Sequence, residues 1–79
     1  MKRVKVSYKK LWVLIAEREI SRAELRKLAG IAPATFTKLG RNQEVALSVL
    51  MKIAEVLDCD AGDIVSFVKE NKANSHADT

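Results

Sequence analysis

SRAELRKLAGIAPATFTKLGR, residues 21 to 41, is the stretch that decides the fold: it reads as two short helices joined by a tight glycine turn. Ser21 is a good N-cap, and Glu24 stands at the third helical position, so the two can satisfy each other's backbone donors as a capping box. The first helix of the pair therefore starts at Arg22. Leu25, Leu28 and Ala29 recur at helical spacing, and Gly30 is the residue able to take positive φ just past a helix end. Ile31 is apolar in the turn, and Pro33 suits a first helical position, where its missing N–H is no loss. In the second helix Phe36 and Leu39 fall on one side of the wheel. Ala34, Thr37, Lys38 and Arg41 fall on the other, leaving one face for the core and one free.

Outward from this pair, Gly40-Arg41-Asn42-Gln43 breaks the chain and a loop runs to about Ala46. Leu47, Leu50, Ile53, Ala54 and Leu57 then mark a strongly amphipathic helix ending near Asp58. Asp60 followed by Asp63 can cap a last helix with Ile64, Phe67 and Val68 as its apolar face. Residues 69–79 have no periodicity and read as a flexible polar tail. On the other side, Ser7 caps a predicted helix from Tyr8 to Glu19, with Leu11, Leu14 and Ile15 inward, joined by Tyr8 and Trp12, and Ile20 bridges into the pair. Met1 to Ser7 alternates with period two, too short to stand alone as a strand; its partner is either the C-terminal part of this chain or a second copy. The expectation is an all-α, compact five-helix domain over 1–68, with a short N-terminal extended segment.

A chain of 79 residues has room for one domain with one core. Apolar residues make up 48% and aromatics 5%, which suits packed helices better than a sandwich. A single cysteine, Cys59, excludes an internal disulfide, and no apolar run reaches membrane-span length. A cytoplasmic location with no membrane partner is expected. Residues 1–41 carry eleven Lys or Arg against three acids, a net +8, whereas residues 42–79 carry three against seven, a net −4. Positive charge thus gathers in the half that holds the helix pair, the electrostatic footprint of a polyanion partner.

On Leu25, Gly30, Ile31, Phe36 and Leu39, with LSVLMKIAEVLDC at 47–59 as a fourth helix, the chain resembles the lambda-repressor-like Cro/repressor helix-turn-helix domains, the Xre family. The resemblance covers about Tyr8 to Val68. Arg26 replaces the alanine usual after the leucine of the second helix, and Gly40 follows Leu39 directly; with the run LRKLAGI these features are similar to a branch of short stand-alone regulators. The whole chain is also similar to the small VanU-type regulators of vancomycin-resistance operons. The resemblance implies a sequence-specific regulator of double-stranded DNA, dimeric on a palindromic operator, with the third helix in the major groove. It assigns base-reading positions to Pro33, Ala34 and Lys38, with Thr37 beside them. Lys38 can reach guanine O6 and N7, and Ala34 offers a methyl to thymine. Ser21, Arg22, Thr35, Arg41 and Asn42 match places that grip phosphates, contacts that position without specifying.

Read without that resemblance, Lys38 and Arg41 are solvated surface charges, Arg26 lays its stem on neighbouring helices, Trp12 is core, and Cys59 is a small buried hydrophobe. His76 stands alone in the polar tail. No zinc spacing, phosphate loop or nucleophile with a base is present, so neither an enzyme nor a cofactor or small-molecule ligand is expected. The competing function is a protein-interaction module on the same fold, such as a small antitoxin or regulator partner with weak DNA binding. The thin polar content of Pro33-Ala34 favours it, and the basic N-terminal half argues against it.

Overall fold

The computed structural model describes residues 3–70. In chain order these form β1 (Arg3–Ser7), α1 (Lys9–Glu17), α2 (Arg22–Ala29), α3 (Pro33–Gly40), α4 (Leu47–Leu57), a single 3-10 turn (Ala61–Asp63) and β2 (Ser66–Glu70). The expectation of an all-α five-helix domain is thereby corrected. The described residues form four α-helices and a two-stranded antiparallel sheet, and the stretch read as a fifth helix is one turn followed by a strand.

The reason lies in competing periodicities. Ile64, Phe67 and Val68 fit a helical stripe, but a helix would have to bury all three. Ile64 is fully buried, while Phe67 is 75% and Val68 50% exposed. The Asp60 N–H donates to the Asp63 carboxylate at 3.0 Å, and the N–H groups of Ile64 and Val65 both donate to the Ala61 carbonyl, so the turn closes after one round. The residues that follow then pair with β1, in the register Val4↔Lys69, Lys5↔Val68, Val6↔Phe67. Each strand supplies the backbone partners the other lacks. The alternating N-terminal segment thus finds its partner within its own chain. Lys69 and Glu70, at the start of the stretch read as tail, close β2; residues 71–79, His76 among them, lie outside the described residues.

One core joins the four helices and the residue after the 3-10 turn: Tyr8, Leu11, Ile15, Leu25, Ala29, Ile31, Leu39, Ile53, Leu57 and Ile64 are buried. Leu14, Trp12, Phe36 and Leu50 pack partly buried against it. Two expected stripe members face solvent instead, Leu28 at 63% and Leu47 at 68% exposure. α1 is shorter than its pattern, beginning at Lys9 with Tyr8 as N-cap and ending at Glu17. Ser7 still serves that end, its Oγ accepting from the Lys9 N–H at 3.3 Å.

The turn between α2 and α3 follows from its residues. Glu24 N–H donates to Ser21 Oγ at 3.1 Å and Ser21 N–H to the Glu24 carboxylate at 3.0 Å, completing the capping box. Gly30 closes α2 at φ +66°, where a side chain is strained. A Cβ meets nothing within 4 Å at either glycine, but Gly40 differs in being the last residue of α3 without a positive φ. The left-handed residue beyond α3 is Asn42, at φ +56°. Gly30→Ala should therefore lose about 1–2 kcal/mol of stability, while Gly40→Ala should gain about 0.5–1 kcal/mol by removing backbone freedom from the unfolded chain. Urea midpoints of the two variants should move in opposite directions; a loss at Gly40 would mean that its backbone is not helical.

Candidate nucleic-acid interface

α3 is held by its inner side and open on its outer one. Leu39 is fully buried and Phe36 partly so, and at 100° per residue Pro33, Ala34, Thr37, Lys38 and Arg41 occupy an arc of about 140° on the other side. All five are exposed. Thr35, on the flank, is half-buried. The expected reading face is thus continuous, and it is accessible along its whole length.

Thr37 carries a constraint that its sequence position does not reveal. Its hydroxyl donates to the Pro33 carbonyl at 3.0 Å, so its proton is committed within the helix and the oxygen faces outward as an acceptor. The end of α3 is fastened to α1 rather than left loose. Gln43 N–H donates to the Lys38 carbonyl at 2.9 Å, Tyr8 N–H to Asn42 Oδ1 at 3.0 Å, and the Tyr8 hydroxyl to the Gln43 carbonyl at 2.7 Å. Burial pushes the Tyr8 phenol above its ordinary pKa, keeping it a neutral donor. With Oδ1 engaged, Asn42 has its amide N–H groups left to offer.

At the start of α2, Ser21 and Arg22 are exposed. The Ser21 Oγ accepts from Glu24 and keeps its own proton to donate. The Arg22 guanidinium carbon stands over the Trp12 ring, 3.9 Å from its centroid, and Phe36 meets the same indole edge-on at 5.8 Å. These contacts tie the N-terminus of α2 to the inner side of α3 through a residue of α1. Arg26 is half-buried, and its guanidinium donates to the Ile31 carbonyl at 3.4 Å, bracing the turn between α2 and α3. Tyr8 and Trp12 were read as core; neither their links to the loop after α3 nor the stack under Arg22 had a local signal. Cys59 is half-buried, and burial, with Asp63 next in effect, raises its thiol pKa, so it stays protonated. Among the described residues no group of three or more His, Cys, Asp or Glu could hold a metal, and no helix is long and apolar enough to cross a membrane.

A capped helix, a glycine turn and a second helix with an open, basic outer face match a defined family over residues 10–70: the Cro/C1-type helix-turn-helix DNA-binding domain. The chain belongs to that family. It is also similar to a solved structure, the crystal structure of transcriptional regulator VanUg, Form II, at 44% identity and a TM-score of 0.85, over 89% of this chain and 93% of that one. Among curated proteins nothing matches. The Cro/C1-type and VanU-type resemblances read from the residues are therefore borne out, and DNA binding stands as the property of the family to which this domain belongs.

Proposed function

We infer that this protein is a transcriptional regulator that reads duplex DNA with the outer face of α3, two copies sharing a palindromic operator. The observation that carries this reading is the open arc from Pro33 to Arg41 on a helix whose other side is locked into the core. Lys38 donates to guanine O6 and N7, and Ala34 and the Pro33 ring give apolar contact to thymine methyls. Thr37, its proton committed to Pro33, accepts from an amino group of adenine or cytosine. Ser21, Arg22, Thr35, Arg41 and Asn42 grip phosphates on either side, helped by the free N–H groups at the start of α2. With so few base contacts, much of the selectivity comes from DNA shape.

One small domain offers too few contacts for tight specific binding, and a second copy doubles them across a two-fold axis. The face that suits this copy is apolar. Val4, Leu47 and Phe67 are 58%, 68% and 75% exposed around a groove of about 620 Å³ lined also by Val6, Leu50 and Val65. Val4, Val6, Phe67 and Lys69 share one face of the sheet, and Glu44 lines the groove. In a self-complementary contact, Phe67 of one copy fills the groove of the other and Lys69 meets Glu44.

Salt titrations and footprints on a selected duplex test both parts. With four to six phosphates neutralised per copy, log K should fall against log salt with a slope of roughly −4 to −5 per copy. Protection should cover two half-sites about one helical turn apart. Phe67→Glu should confine protection to single half-sites at the same protein concentration. A flat salt dependence would favour the protein-interaction module, and a single protected half-site for the wild type would remove the dimer.

A further inference from the structure

Trp12 lies in the middle of α1 and is half-buried, yet one face of its indole carries a charged side chain from another helix. The Arg22 guanidinium carbon stands 3.9 Å from the ring centroid. The indole is itself held in place, because Phe36 of α3 meets it at 72° with the centroids 5.8 Å apart. Stacking engages the flat face of the guanidinium, while its five N–H donors lie in the plane and point outward from the edge. The stack and a two-point grip on a phosphate are therefore compatible. An exposed arginine on a helix start otherwise samples many rotamers, all but one of which must be given up when an anion is bound. A shelf that restricts these rotamers beforehand lowers the cost of binding.

We propose that Trp12 is a positioning residue of the DNA interface, holding Arg22 by the face of its guanidinium so that the N–H edge is presented to a backbone phosphate. The inference rests on the reading of α2 and α3 as the DNA-binding surface. It assigns no base contact to either residue, so the pair adds affinity for every duplex alike and leaves the choice of sequence to α3.

The chain has one tryptophan, so its emission reports this ring alone. In the absence of DNA, Arg22→Ala should uncover the indole, raising acrylamide quenching and moving emission to longer wavelength. Unchanged quenching overturns the stack and the inference with it, whatever the protein does with DNA. With a random duplex at low salt, Trp12→Leu should weaken binding about 2- to 5-fold in the wild-type background, the value of an exposed cation–π pair. In the Arg22→Ala background the same change should have no effect. Equal losses in both backgrounds mean that Trp12 only supports the fold, and they overturn the positioning role. Trp12→Phe keeps an aromatic face in the core, and its loss should lie between wild type and Trp12→Leu; circular dichroism checks that each variant is helical. Wild-type protein that binds no duplex at low salt sinks the DNA reading and this inference together. Wild-type binding with no coupling between Trp12 and Arg22 sinks this inference alone.

Discussion

Leu39→Ala should cost about 2–5 kcal/mol of stability, the range for emptying a fully buried leucine site. Leu39 has no exposed surface and is the buried anchor of α3, so the cavity opens directly beneath the face proposed to read DNA. A domain of this size is held by roughly 4–12 kcal/mol in all, and the loss takes a large share of it. DNA binding should weaken with the fold, because Lys38 and Thr37 are aimed only while Leu39 keeps α3 in place. Leu39→Met, nearly equal in volume, should cost less than about 1.5 kcal/mol. The contrast is Leu28, which the helical pattern groups with Leu25 but which is 63% exposed; Leu28→Ala should stay within about 0.5 kcal/mol. Urea unfolding of the three variants is the measurement. Equal losses for Leu28→Ala and Leu39→Ala would show that α2 is rotated from the orientation described.

Lys38→Ala should cost about 1–3 kcal/mol on the cognate operator and relax preference at one base pair in each half-site. The side chain is exposed at one edge of the outer arc, and Gly40 beyond it adds no side chain that could take over. Arg22→Ala is the counterpart. It should weaken operator and scrambled duplex by similar factors and make the salt slope shallower by about one unit per contact removed. Titrations of both variants against both duplexes at several salt concentrations separate reading from gripping. An unchanged operator-to-scrambled ratio for Lys38→Ala would make Lys38 a phosphate contact or a bystander.

The parts of the fold that were legible are the ones specified locally. Ser21 and Glu24 form their capping box, Gly30 turns the chain, Pro33 starts α3, and Leu47 to Leu57 is a helix, because caps, φ preferences and 3.6-residue periodicity all act within a few positions. The end of the domain differs because Ile64, Phe67 and Val68 fit a helical stripe, while Phe67 and Val68 fall on opposite faces of the strand that forms. The strand forms because it pairs with β1 about sixty residues away, and although the alternation of Met1 to Ser7 signals a need for a partner, no local pattern says which segment supplies it. The same limit governs the surface. A helical wheel puts Pro33, Ala34, Thr37, Lys38 and Arg41 on one side of α3, and they are exposed there. It says nothing of the Arg22 stack on Trp12, ten positions back on another helix, or of Thr37 spending its proton on Pro33. Leu28 and Leu47 show the reverse error, apolar periodicity without a neighbour to cover it.

The claim at the centre is that the outer face of α3 and the start of α2 meet DNA, and a backbone amide map of the full chain titrated with a selected operator duplex tests it most directly. Shifts should concentrate at residues 21–22 and 34–42 and repeat, weaker and salt-sensitive, with scrambled duplex. Residues 4–6 and 65–69 should respond only where two half-sites are present, when a second copy covers that face. Shifts centred on the sheet and α4 with residues 34–42 unmoved would contradict the account.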